Sequence, residues 1–164
     1  MEVILDEDEY NRIWTKIDKV YQFKPSVDPK AGEWIRLDPP YRAYRLTRFW
    51  DEKQEGIVRQ IMRRVIREEM YALVWNSDCF IFHPDEMITP GLQYRDFERG
   101  VNVYFPSYYP DGDYYFFVST DWANGLYGHP WRKEIRVKGE KMIRAFEEQK
   151  EALALEEIGL IHNS

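Results

Sequence analysis

The sequence predicts an α+β fold: a single domain over residues 1–164, mainly an antiparallel sheet with about three helices packed on it. Three observations carry the prediction. Helical spacing of apolar residues occurs in three stretches, one at each end of the chain and one between, in the order helix, strand, helix, several strands, helix. The later β-prone runs are joined by turns far shorter than the dozen or more residues that a parallel crossover needs, so neighbouring strands run antiparallel and the helices are expected to cover one face of the sheet. Aromatic residues make up 16% of the chain, twelve Tyr, nine Phe and six Trp, and such side chains favour a pleated, half-buried surface.

Asp6 with Glu9 has the spacing of a capping box, and Tyr10, Ile13, Trp14 and Ile17 follow at helical intervals, which predicts a first helix ending near Val20. From Lys24 to Pro40 the chain holds Pro25, Pro29, Pro39, Pro40 and Gly32, so it reads as a loop with a short extended piece at Trp34–Leu37, anchored by Phe23 and Trp34. Tyr41–Phe49 alternates as a strand. Asp51–Met70 is the clearest helix: Ile57/Val58, Ile61/Met62 and Val65/Ile66 form one apolar stripe opposite Arg59, Arg63 and Arg67, which read as a solvated face. Tyr71–Trp75 and Cys79–Phe82 are β-prone runs broken by Asn76-Ser77-Asp78, either a hairpin or one long strand with a polar interruption, and His83–Gly100 reads mostly as loop. Val101–Phe105 and Tyr114–Val118 are strands on either side of the turn Pro110-Asp111-Gly112-Asp113. Asp121–Gly128 reads as a turn region, and Ile135–Val137 as a closing strand. A final helix is expected over Gly139–Glu157, with Met142, Ile143, Phe146 and Leu153 inward and Gly159 as its stop.

Composition narrows the function. The net charge of −6 disfavours sequence-independent binding of nucleic acid, which draws its affinity from Lys and Arg. The single Cys79 excludes an intramolecular disulfide and multi-cysteine zinc patterns. Residues 1–10 carry five acids and no base, the opposite of a secretory or transit signal, and no apolar run approaches the roughly 20 residues that cross a bilayer. A soluble, cytoplasmic protein without membrane contact is therefore expected. No phosphate loop, GxGxxG, HExxH, GxSxG or calcium-loop motif is present, and no cofactor or metal is expected.

Three constellations could carry function. Asp111, Asp113, Asp121 and His129 fall within twenty residues at turns and strand ends, where a His beside a carboxylate could act as a general base; Asp residues at turns more often bond their own backbone. Cys79 with His83 or His129 could form a thiol and base pair, but Cys79 lies in an apolar run, where a thiol is a small hydrophobe. The third is aromatic: Tyr104, Tyr108, Tyr109, Tyr114, Tyr115, Trp122, Tyr127 and Trp131 crowd one third of the chain. Of these, Tyr108, Tyr109, Trp122 and Trp131 lie in turns, so they are expected at the surface. The expected binding residues are thus Tyr109, Asp111, Asp113, Trp122, His129 and Trp131, anchoring a protein partner by aromatic contact and by charge. The alternative is a hydrolase or metal-dependent enzyme using His129 with Asp113 or Asp121.

Three blocks, Tyr71-Ala-Leu-x-Trp75, Tyr109-Pro-Asp-Gly-Asp-Tyr-Tyr-x-Phe117 and Gly125-x-x-Gly-His-Pro-Trp131, followed by a short strand and Gly139, resemble the bacterial family catalogued as domain of unknown function 2716. The resemblance covers about residues 10–150. It implies no assigned activity. Its members are small cytosolic proteins of Bacillus-like genomes, some near polymorphic toxin genes, which suits a toxin-neutralising immunity protein. Where the family pattern has an acid before the Trp and a Gln-His pair after it, this chain has Val74-Trp75-Asn76-Ser77, which removes the groups a catalytic role of that segment would need.

Overall fold

Residues 70–82 form a hairpin, one of the two arrangements their apolar runs allow: β3 (Met70–Val74) and β4 (Cys79–Phe82) pair antiparallel, and Asn76 takes the left-handed conformation at the turn, which a short polar side chain tolerates. The computed structural model describes residues 1–26, 28 and 32–159. The part of the predicted Lys24–Pro40 loop at residues 27 and 29–31 lies outside them. The remaining strands are β1 (Glu2–Val3), β2 (Tyr41–Leu46), β5 (Leu92–Asp96), β6 (Val101–Phe105), β7 (Tyr115–Ser119), β8 (Gly125–His129), β9 (Glu134–Lys138) and β10 (Leu155–Ile158). The helices are α1 (Glu7–Thr15), continued by a π-helical turn at Lys16–Val20, α2 (Glu52–Val65) and α3 (Glu140–Glu148).

Eight strands form one sheet in the order β1-β4-β3-β7-β8-β9-β2-β10, with every pair antiparallel, while β5 and β6 form a separate hairpin. The α+β class and the antiparallel sheet agree with the sequence, but the placement of the helices does not. α2 and α3 pack on one face through Val58, Ile61, Met62, Met142 and Phe146, together with Val103 and Phe105 of β6. α1 packs on the other through Ile13, Trp14 and Ile17, with the segment carrying Tyr21, Phe23, Trp34 and Leu37. The reason is that β3 and β7 are apolar on both sides and must be covered on both, and with β8 and β9 they are buried along their whole length. Alternation then divides successive residues: Met70, Ala72 and Val74 join the α2 side, Tyr71 and Leu73 the α1 side.

Three further elements differ from expectation. The His83–Gly100 stretch contains β5, held by Val101–Phe105 opposite it. The Asp121–Gly128 turn region becomes strand from Gly125, between β7 and β9. α3 stops at Glu148, and Leu155–Ile158 returns as an edge strand on β2, so Gly159 follows a strand rather than ending a helix. No helix among the described residues is long and apolar enough to cross a membrane.

Candidate functional site: an acidic groove with aromatic walls

The start of α2 fixes the first wall. Asp51 caps the helix by accepting the Lys53 N–H at 2.9 Å, and the Gln54 side chain returns to the Asp51 N–H at 3.0 Å, a complete capping box. One turn on, Glu55 reaches out to the 107–111 loop, and its two carboxylate oxygens accept the backbone N–H groups of Tyr108 and Tyr109, each at 2.9 Å. Burial raises the Glu55 pKa, and these two N–H groups oppose that rise without cancelling it. The Ser107 hydroxyl donates to the Tyr109 carbonyl at 2.7 Å and the Tyr115 hydroxyl to the Asp111 carbonyl at 3.0 Å, which fixes the loop at both ends.

Tyr108 and Tyr109 are therefore buried, not presented as the sequence suggested: Tyr108 packs on Phe117 at 4.6 Å, and Tyr109 lies between Phe49 at 4.8 Å and Trp50 at 5.6 Å. Tyr109 nevertheless lines a groove of about 650 Å³ between the start of α2, the Thr89–Leu92 approach to β5, Tyr104 of β6 and the 107–111 loop. Phe49 is 64% exposed at its rim, Leu92 52% and Tyr104 38%. Asp51, Glu52, Glu55 and Asp111 face the same space with one cation, Arg59. Ion pairs within 4.0 Å elsewhere on the described residues engage none of these four carboxylates.

The other expected residues lie across the sheet. His129 is fully buried; its Nδ1 accepts the Arg132 N–H at 3.2 Å, and its Nε2 stands 3.2 Å from the Tyr114 hydroxyl. That hydroxyl accepts the Ser26 N–H at 2.8 Å and donates to the Ser26 carbonyl at 3.1 Å, so Nε2–H is the donor to it. Burial, with the Arg132 and Arg136 charges behind it, pushes the His129 pKa down to about 4. Trp131 is 44% exposed and packs edge-on against Tyr114 at 5.5 Å. Asp113 spends Oδ1 on the Tyr114 N–H at 2.7 Å, and burial raises its pKa.

Asp121 accepts from the Ser119 hydroxyl at 2.7 Å and the Ala123 N–H at 3.0 Å, and the Ser119 bond is the main reason its pKa is lowered. Trp122 has a left-handed φ of 64°, is half-buried against Tyr21 and Tyr71, and offers its carbonyl to Lys138 Nζ at 3.1 Å. The expected shared outward patch is therefore divided. Tyr109 belongs to the α2 face with Tyr115, whereas Tyr114, Trp122 and Tyr127 belong to the α1 face, and the neighbours Tyr114 and Tyr115 point to opposite sides as extended chain requires. Cys79 is buried, with its pKa pushed up to about 11 by that burial, the reverse of an activated thiol.

Sequence reasoning missed Phe49 and Glu55 as partners of Tyr109 and Asp111, and grouped Tyr104 with Tyr109 without choosing it as a binding residue. Phe49 and Glu55 flank the Asp51 cap, and an apolar residue left exposed beside a helix start was the one local signal. Among the described residues no group of three or more His, Cys, Asp or Glu could hold a metal ion.

Fold and groove together define a class: an antiparallel α+β protein covered on both faces, with one acid-lined aromatic concavity. The chain belongs to the family described as protein of unknown function (DUF2716), whose family model matches residues 4–143. It is similar to the uncharacterised protein YxiI of Bacillus subtilis (strain 168), at 27% identity over 157 residues that cover 87% of this chain and 90% of that protein. No solved structure matches the chain.

Proposed function

We propose that the protein acts by non-covalent binding of a basic partner protein in this groove, in the manner of a toxin-neutralising immunity protein. The observation that carries the reading is the coincidence of four carboxylates without ion pairs and four aromatic side chains, Phe49, Trp50, Tyr104 and Tyr109, around one concavity. Aromatic anchors with a charged rim are what protein interfaces use for affinity and for selecting a partner. In this reading Tyr109 and Asp111 contact the partner, while Asp113, Asp121, Trp122 and His129 hold the fold and Trp131 lies outside the contact.

The hydrolase reading draws less support. A general base needs a lone pair directed at a substrate, and the Nδ1 lone pair of His129 is spent on the Arg132 N–H in the interior. The hydrogen bonds of Asp113 and Asp121 go to Tyr114, Ser119 and Ala123, not to His129.

Affinity purification from the native cytosol tests the binding reading. The wild type and Trp131→Ala should retain the same partner, and Phe49→Ser and Asp111→Lys should lose it. Equal recovery by Asp111→Lys and wild type would overturn the reading.

A further inference from the structure

Resting on that reading, we infer that the groove receives an arginine side chain from an extended basic segment of the partner protein. Three features of the groove specify the occupant. The first is sign: Asp51, Glu52, Glu55 and Asp111 outnumber the single Arg59, so the lining is anionic at neutral pH and attracts a cation while repelling phosphate.

The second is the character of the walls. Phe49 and Tyr104 present exposed rings, with the buried Tyr109 packed behind Phe49 and Trp50 behind Tyr109, and such π-systems bind a weakly hydrated, delocalised cation better than a hydrated metal ion. The Tyr109 ring already has a cation of its own chain near it: Lys133 Nζ stands 6.0 Å from its centroid. Guanidinium is planar, so it can lie on Tyr104 or Phe49 while its edge donates to a carboxylate, a pairing a point-like ammonium makes less well.

The third is what each acid already does. Asp51 Oδ1 caps α2, and both Glu55 oxygens hold the 107–111 loop. Asp111 is different. Its carbonyl is bonded to the Tyr115 hydroxyl, which fixes the residue, while its carboxylate is exposed at the mouth of the groove. It is the acid best placed to receive the guanidinium edge, with Glu52 elsewhere on the lining as supporting charge. The groove is also open at its Phe49 and Leu92 rim, where both side chains are more than half exposed, so a chain can run past while one side chain enters.

The test uses the ¹⁵N-labelled protein and three capped peptides: Gly-Ser-Arg-Ser-Gly, the same peptide with lysine, and the same peptide with citrulline, which keeps the shape of arginine and removes its charge. The arginine peptide should shift the amides of residues 49–56, 89–92 and 104–111, with affinity about tenfold above the citrulline peptide at low salt. That preference should fall when salt is raised to about 0.5 M. Asp111→Asn should weaken arginine binding about threefold, the range of an exposed charge pair. A lysine peptide that binds as tightly as the arginine peptide would overturn the choice of guanidinium. Equal binding of the citrulline peptide would overturn the cation inference and leave the groove as the binding site. Shifts confined to the α1 face, or no shifts at millimolar peptide, would also overturn it, and the partner purification decides the broader reading separately.

Discussion

Glu55 Oε2 accepts the Tyr109 N–H at 2.9 Å across a separation of 54 residues, and Oε1 accepts the Tyr108 N–H beside it. One carboxylate thus ties the second helix to the loop that forms the opposite side of the groove. Because burial raises the Glu55 pKa in spite of both bonds, its value to the fold lies in the two acceptor atoms more than in the charge. Glu55→Ala, which leaves both N–H groups without their acceptor, should cost about 3 kcal/mol, and Glu55→Gln, which keeps one acceptor, about 1 kcal/mol. Urea unfolding midpoints of the two variants give the ranking. Equal losses would mean that the charge, not the acceptor geometry, holds the loop.

His129 predicts a pH dependence. Its pKa is 6.5 in an unfolded chain and about 4 here, because burial disfavours the imidazolium. The unfolded state therefore takes up a proton at a pH where the folded state does not. The stabilisation is complete above 6.5 and is lost as pH falls from 6.5 towards 4, by about 3 kcal/mol over the window. Carboxylates titrate in the lower part of the same range, so the informative quantity is the difference between wild type and His129→Gln. Wild type should lose about 2.5 kcal/mol more than the variant between roughly pH 7.5 and pH 4.5. Parallel stability curves would remove His129 as the cause.

The thiol offers a direct check of burial. With Sγ inside the α1 face and its pKa near 11, Cys79 should resist iodoacetamide in the native protein and react fully in urea. Native labelling at the rate of a free cysteine would show that the α1 layer does not seal the sheet.

The stripe on the second helix and the two β-prone runs of Tyr71–Phe82 were legible because each element's own residues decide it, whereas those residues do not decide between a hairpin and one long interrupted strand. β10 was not: Leu155-Glu-Glu-Ile158 continues a run of good helix formers, and its pairing with Ala43–Leu46 more than a hundred positions away overrides that propensity. β8 carries two glycines and so reads as a turn. Yet a Cβ on Gly128 would lie 2.8 Å from Pro110 Cβ, so the glycine is what lets the 107–111 loop sit on the strand. The burial of β3 and β7 on both sides was readable in their unbroken apolar runs, and it requires α1 to lie opposite α2. In the site, Tyr109 and Asp111 were visible as turn residues, but Phe49 and Glu55 meet them only through long-range packing, which no local pattern encodes.

Gly56 poses the last question, because a glycine inside a 14-residue helix costs about 1 kcal/mol relative to alanine. Packing does not require it: a Cβ built there meets nothing within 4 Å, and its φ is not in the left-handed range. Gly56 lines the groove next to Glu52 and Glu55, and also the neighbouring concavity bounded by Lys53 and Gln60. A residue that weakens its helix without crowding any neighbour is explained if the space has an occupant. Gly56→Ala should therefore raise stability by about 1 kcal/mol in urea unfolding while lowering the affinity of the arginine peptide. If the variant gains stability and binds as tightly as wild type, the occupant does not reach the helix surface. If it loses stability, a neighbouring side chain crowds the added methyl group.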